Sequence, residues 1–518
     1  MSIQIYDTTL RDGTQSEGFT LSGIDKLRIA KRLDAIGVAF IEGGWPGSNP
    51  KDAEFFERAQ DMEFKHSLVA AFGSTCRVQG GPEDDANIKA LLDSQAPVCT
   101  VFGKTWTLHV TEVLRTNLED NLRIIEQSVA YLREQGRRVI YDAEHFFDGY
   151  KADRSYALET LQAAVRGGAE MVVLCDTNGG AMPWEVKDAT RDIKLSLADM
   201  PLGIHTHNDG GVAVANTLAS IQECATHVQG TINGVGERCG NANLCTVIPN
   251  LELKLNLRCL PEGNLEKLYE LSHFVSEVAN VTPDEHMPFV GKSAFAHKGG
   301  VHVAAMRRSV LSYQHIEPEK VGNQMRVVVS DLSGRGNLLS KAEEHFVELD
   351  AEEVVPVLND IKELEARGFA FEAAEASVAM MLKRQEMYYK PPFELVDFFV
   401  NVEHRDGRGT FAEATVKVRV NGELLHTAAE GNGPVNALDL ALRKALQPTY
   451  PQLAAFHLAD YKVRVLDGEN GTEAITRVLI DTHNGTKRWS TVGASGNIIE
   501  ASWRALADSV EYGLMVAH

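Results

Sequence analysis

Positive charge is in short supply in this chain: 51 Lys and Arg face 72 Asp and Glu over 518 residues, a formal net charge of −21. That deficit opposes non-specific binding to nucleic acid or to an anionic membrane surface. It does not oppose a small anionic substrate met by a cation and a few arginines. Cysteine is also sparse. The seven are scattered, with no C-x-x-C pair, so neither a disulfide framework nor a zinc ribbon is indicated. No apolar run approaches the ~20 residues of a membrane span. A strand-like run begins within two residues of Met1, so no secretory leader is expected. These absences predict a reduced, cytoplasmic enzyme without nucleic-acid or membrane partners.

What is present is a regular beat. Apolar, β-branched runs occur at 3–7, 38–42, 67–72, 98–102, 139–143, 171–175, 202–206 and 228–232, with helical patterns between them. The first helix shows its signals plainly. Ser22 can cap it with Asp25 at the third position, Ile24, Leu27, Leu33 and Ile36 fall near one face, and Gly37 supplies the stop. Eight strand–helix units over about 250 residues are the count of a (β/α)₈ barrel. The competing doubly wound sheet would carry G-x-G-x-x-G after its first strand, and none is there.

Polar residues collect at one end of these strands. Arg11 and Asp12 follow the first, Glu42 ends the second, and Glu144 follows the fifth. Asp176 and Thr177 follow the sixth, His205 and His207 close the seventh, and Asn233, Glu237 and Arg238 follow the eighth. C-terminal strand ends are where such barrels place their chemistry. Residues i and i+2 of a strand share a face, so His205 and His207 can hold one metal ion. Pairs of this kind also occur as ordinary core or surface histidines. A carboxylate near the first strand completes a set that suits a borderline divalent cation with positions left for substrate.

The barrel is expected to span 1–260. From there the rhythm changes to helices and loops, a linker region expected over 261–390 that ends at Pro391-Pro392. Over 391–518 strands at 395–402, 414–420 and 424–428 lead into a helix, and strands at 461–466, 474–481 and 488–492 lead into another at 498–510. Thr427 and Thr491, Ala437 and Ala501, and Leu442 and Leu506 all align at one offset of 64 residues. The pattern predicts an α+β domain built from two βββα repeats. It holds no convincing cluster of reactive side chains, so ligand sensing or oligomerisation is the expected job.

Three motifs, Asp7-Thr8-Thr9-Leu10-Arg11-Asp12-Gly13, His205-Thr206-His207-Asn208-Asp209 and Gly234-Val235-Gly236-Glu237-Arg238-Cys239-Gly240-Asn241, resemble in order the signatures of the isopropylmalate synthase/homocitrate synthase family. That family joins acetyl-CoA to a 2-oxo acid on a metal-bearing barrel. Gly433-Pro434-Val435-Asn436-Ala437-Leu438-Asp439 is similar to its amino-acid-binding regulatory domain. Ile5-Tyr6-Asp7-Thr8-Thr9, Glu42-Gly43-Gly44-Trp45-Pro46-Gly47 and Glu144-His145-Phe146-Phe147-Asp148 look most like the branch whose acceptor is pyruvate.

The resemblance implies an acyltransferase that condenses acetyl-CoA with pyruvate and water to give citramalate and CoA, in isoleucine biosynthesis. It also implies a homodimer with an amino-acid effector, isoleucine, at the C-terminal domain. Asp12, His205 and His207 would be metal ligands with Asn241 as the fourth, and Mg²⁺, Mn²⁺ and Zn²⁺ all fit the set. Arg11 would bind substrate and donate to the alkoxide as it forms; the alternative is an ion pair with Glu42. Glu144 would handle the proton of the thioester methyl group, and His302, assisted by Tyr313, would reach the active site of the other subunit, with His297 ranked behind. Thr177 would hydrogen-bond the acceptor carboxylate.

Trp106 and Tyr141, near the ends of the fourth and fifth strands, are candidates for a wall that restricts acceptor size, or for rim packing. Glu237 and Arg238 read as a structural pair and Cys239 as packing. The rival functions are isopropylmalate synthase, with 2-oxoisovalerate as acceptor, a same-fold C–C lyase, and a silent metal-binding amino-acid sensor.

Overall fold

The computed structural model describes residues 2–306, 308–407, 409–466 and 474–516. The chain divides into two compact units, Met1–Phe295 with Ile316–Gln324, and Ala296–His315 with Met325–His518. The stretch read as a linker is therefore shared between them: 261–295 and 316–324 belong with the first unit.

The first unit is a closed parallel barrel of eight strands in sequence order. They are β1 (Gln4–Asp7), β2 (Phe40–Gly44), β3 (Leu68–Ser74), β4 (Val98–Lys104), β5 (Arg138–Glu144), β6 (Met171–Asp176), β7 (Leu202–Thr206) and β8 (His227–Gly230). Closure is made by β8 beside β1, with Gln4 opposite His227 and Asp7 opposite Gly230. The first helix, Gly23–Ile36, has the Ser22–Asp25 capping box, and Gly37 ends it in the left-handed conformation at φ 96°.

Both faces of a parallel strand are buried, so alternation sorts side chains into two apolar sets. One lies inside the barrel and includes Tyr6, Phe40, Ala70, Val98, Ile140 and Val173. The other packs against the helices and includes Ile5, Ile41, Val69, Val101, Tyr141 and Leu174. His227 stands at the inner set, its ring centroid 5.2 Å from that of Tyr6 and 5.6 Å from that of Phe40. It is fully buried, neither ring nitrogen has a partner among the described residues, and burial pushes its pKa down to about 3.

In the second unit, two-residue strands β9 (Ala296–His297) and β10 (Arg326–Val327) pair in parallel. Two antiparallel sheets follow: β11 (Glu394–Arg405), β12 (Gly409–Val420) and β13 (Glu423–Gly431), then β14 (His457–Val465), β15 (Thr476–His483) and β16 (Arg488–Ser495). Helices Pro434–Leu446 and Ile498–Val516 succeed the two sheets. The duplication extends to single bonds. Thr427 Oγ1 donates to the Ala441 carbonyl at 2.7 Å, and Thr491 Oγ1 donates to the Ala505 carbonyl, also at 2.7 Å. Ala412, Val416, Leu438, Leu442, Ile480 and Leu506 contribute to one core. Among the described residues, no helix is long and apolar enough to cross a membrane.

Candidate active site

Asp12, His205 and His207 converge at the C-terminal mouth of the barrel, all buried, with one ligand atom from each within 4.8 Å of the others. Asp12 follows β1, and both histidines come from the end of β7, whose neighbours are β6 and β8. The His205 Nε2 lies 3.3 Å from Asp12 Oδ2 and 3.2 Å from His207 Nε2. The His205 Nδ1 faces Gln229 Oε1 at 2.9 Å.

The loop after β8 brings Asn241 to the same place. It is zipped to the end of β7 by a His207–Asn241 bridge, with Asn208 N–H donating to the Gly240 carbonyl at 2.8 Å. Glycine is required here. At Gly236 a Cβ would fall 1.9 Å from Asn241 Oδ1, and Gly240, at φ 89°, would place one 2.0 Å from the Gly234 carbonyl. Asn241 Nδ2 donates to Asp12 Oδ2 at 2.8 Å, while its Oδ1 is buried without a partner among the described residues.

Charge at this cluster fits a cation. Burial alone would raise the Asp12 carboxyl, but Arg11, then His205 and His207, hold it well below the usual carboxylate range. Burial, aided by His205, pushes His207 down to about 3, so that ring is neutral. A carboxylate, a neutral imidazole and a second imidazole facing each other suit a divalent ion. The orphaned Asn241 Oδ1 would join them with the amide exchanged end for end, an orientation that only hydrogen-bond partners decide.

Arg11 lies beside this cluster. Its Nε donates to Glu42 Oε1 at 2.6 Å, an Nη lies 3.4 Å from Asp12 Oδ1, and the guanidinium sits 3.8 Å over the Phe72 ring. Glu42 is fully buried and also accepts from Tyr6 and Thr8, each at 2.5 Å. The ion pair weighed against a substrate role is thus formed, and it aims the guanidinium at the Asp12 side of the cluster.

Glu144 pairs with Lys104 across the ends of β5 and β4. Thr177 accepts from the His145 N–H at 2.8 Å, so its own hydroxyl proton is left for another acceptor. Arg238 clamps this loop to its neighbour, donating to the Thr177 carbonyl at 2.8 Å and to Asp209 at 2.7 and 3.0 Å. It also approaches Glu237 at 3.3 Å.

Tyr141 is not at the mouth. It falls between the inward positions Ile140 and Asp142, points outward into the helix-facing core, and packs against Gly103, where a Cβ would lie 2.7 Å from its hydroxyl. The expectation of substrate contact at Tyr141 is corrected by strand alternation. Trp106 packs with His109 and His145, at centroid distances of 5.2 and 5.9 Å. The bulk beside Arg11 comes from other residues: Phe72 stacks on Phe102 at 5.3 Å, and Trp45 meets both edge-on at 5.8 and 5.5 Å. Sequence reading passed over this wall, although an aromatic residue at the C-terminal end of each of three adjacent strands was its signal. His302 and Tyr313 belong to the second unit, where their rings stack with centroids 4.2 Å apart.

Known proteins share this chain along its whole length. Residues 2–275 match the HMGL-like family, 289–368 the homocitrate synthase post-HMGL domain-like family, and 372–514 the LeuA allosteric (dimerisation) domain. The chain is 52% identical over 515 residues to an (R)-citramalate synthase of Geobacter sulfurreducens, covering 99% of this chain and 97% of that one. It belongs to the (R)-citramalate synthase family. A second member, from Synechocystis sp., is 52% identical over 529 residues, covering 99% of this chain and 96% of that one. A probable 2-isopropylmalate synthase of Methanopyrus kandleri is 30% identical over 509 residues, covering 98% of this chain and 97% of that one. In citramalate synthase terms, the barrel mouth therefore belongs to the HMGL-like part of the chain, and the paired sheets to the allosteric part.

Proposed function

We propose that the chain condenses acetyl-CoA with pyruvate and water to give citramalate and free CoA. The observation that carries this reading is the meeting of Arg11 with the Asp12–His205–His207 cluster beneath the Phe72–Phe102–Trp45 wall. A divalent cation held by Asp12, His205 and His207, with Asn241, supplies Lewis acidity toward the ketone of a 2-oxo acid. Arg11 donates to the ketone oxygen as it becomes an alkoxide, within a buried site where such a bond is worth more than in water. The Thr177 hydroxyl donates to the acceptor carboxylate.

A proton leaves the thioester methyl group to a base drawn from Glu144 and His302, and the resulting carbon attacks the ketone carbon. Water then adds to the thioester carbonyl, the C–S bond breaks, and the CoA thiolate departs and takes a proton. Phe72, Phe102 and Trp45 would line the acceptor pocket beside Arg11 and limit the size of the side chain it admits. The higher identity to citramalate synthases than to the isopropylmalate relative supports the same acceptor.

The domain plan behind this reading is a barrel to about residue 260, a connecting region to 390 and a regulatory domain from 391. That domain would bind isoleucine, the end product a pyruvate-using enzyme serves. A second copy of the chain is its partner, supported by the matched domain's name and by apolar side chains left exposed on β11 and β14, among them Phe399, Val402, Val463 and Val465. Within the dimer, His302 and Tyr313 would serve the partner subunit's site. The compartment is the cytoplasm.

The test is thiol release by the purified protein with a divalent metal, acetyl-CoA and a panel of 2-oxo acids, with and without isoleucine. Pyruvate is expected to be preferred and isoleucine to inhibit. Preference for 2-oxoisovalerate would move the assignment to isopropylmalate synthesis. No turnover with any acceptor would leave the sensor reading.

A further inference from the structure

Behind His205 lies a chain of buried polar side chains that the condensation does not use. Gln229, on β8, is fully buried, and its Oε1 lies 2.9 Å from His205 Nδ1. On its other side, Gln229 Nε2 donates to Asp142 Oδ1 at 3.0 Å. Asp142 comes from β5, on the far side of the barrel interior, and is 4% exposed. Two polar residues pointing into the barrel interior carry a desolvation cost, which only satisfied bonds offset.

The order of these atoms has a chemical consequence. An amide nitrogen can only donate, and an ionised carboxylate facing it can only accept. Asp142 therefore decides which end of Gln229 turns toward it, and the carbonyl oxygen is left for His205. That oxygen can only accept, so the His205 proton must sit on Nδ1. The Nε2 lone pair then faces the side where Asp12, His207 and Asn241 gather, with Asn241 Nδ2 at 3.3 Å. The constraint holds for the ionised carboxylate. Burial pushes the Asp142 pKa up to about 7, and once protonated its O–H could donate to the amide oxygen instead, so alkaline conditions are where the relay is fixed.

We infer that Gln229, oriented by Asp142, is a positioning residue that fixes the His205 tautomer and ring angle for cation binding. Groups that hold the far nitrogen of a liganding imidazole set both its orientation and its basicity. The inference rests on the cation-binding reading given above, and it assigns to β5 and β8 a part in a site whose ligands come from β1, β7 and the loop after β8.

Two measurements test it. Mn²⁺ titration of the full chain, followed by the paramagnetic resonance of free Mn²⁺, gives the dissociation constant for the parent and for Gln229→Met, which keeps length and removes both polar atoms. The variant is expected to bind roughly 10- to 100-fold more weakly while keeping the parent's circular dichroism. Binding within about threefold of the parent would overturn the inference. The second readout needs no change at Gln229. Nitrogen resonances of labelled histidine in alkaline buffer, with the His205 signals identified by their loss in His205→Gln, should show a protonated Nδ1 and an unprotonated Nε2. The opposite tautomer would overturn the inference. Failure of the parent itself to bind Mn²⁺ would instead strike the cation-binding reading, and the tautomer would still judge the Gln229–Asp142 relay.

Discussion

Acid should find the barrel's weak point at His227. In the unfolded chain this ring takes its proton near pH 6.5, whereas in the folded barrel it resists until about 3. Below 6.5 the unfolded state therefore binds the extra proton, and folding loses about 1.4 kcal/mol per further pH unit. The contribution is complete above 6.5, down by about 2 kcal/mol near pH 5, and down by roughly 5 kcal/mol as the pH nears 3. Carboxylates titrate over part of the same range, so the quantity to isolate is a difference. His227→Leu keeps an apolar group of similar size between Tyr6 and Phe40 and has no proton to take. In scanning calorimetry at about pH 8 and about pH 5, the parent's barrel transition should fall by roughly 3 °C more than the variant's. Midpoints that fall in parallel would show that His227 is hydrated or partnered in solution, and would refute the argument.

Loss of the cation should stop turnover. Asp12→Asn or His207→Gln should abolish detectable Mn²⁺ binding and cut thiol release by at least about a hundredfold, as a chelator should for the parent. Phe102→Ala should raise kcat/KM for 2-oxobutyrate relative to pyruvate by about tenfold or more, as expected for one methylene against an opened wall. An unchanged ratio would remove Phe102 from the acceptor pocket. In the duplicated domain, Thr427→Val and Thr491→Val should each cost about 1 kcal/mol in urea unfolding. The second should cost more, because Thr491 is fully buried whereas Thr427 is half-buried.

Much of this architecture could be read from residue order. The eight runs and their capping signals located the barrel, and the H-x-H pair with an aspartate after the first strand located its cluster. The repeat offset paired Thr427 with Thr491, and in each half that threonine bonds a helix carbonyl. What escaped was parity and partnership. Tyr141 stands one residue from Asp142, and a single step along a strand exchanges the barrel interior for the helix-facing core. Gln229 and Asp142 are 87 residues apart in sequence. Each looks like a misplaced polar residue in an apolar strand until the other is seen opposite. The wall of Trp45, Phe72 and Phe102 drew one ring from each of three strands, so no local spacing announced it. His302 and Tyr313 came from the family resemblance alone, and no local pattern in the sequence singled them out.

The ring of strands is sealed by its first and last members, and the groups suited to grip an ion are spread from residue 12 to residue 241. A growing chain therefore cannot acquire that grip until the eighth strand has docked beside the first. An ion bound there would, by mass action, favour the sealed ring over any arrangement with two bare strand edges. Scarcity of the metal would then do two kinds of harm: it would idle the finished enzyme, and it would leave newly made chains longer in a form prone to sticking together.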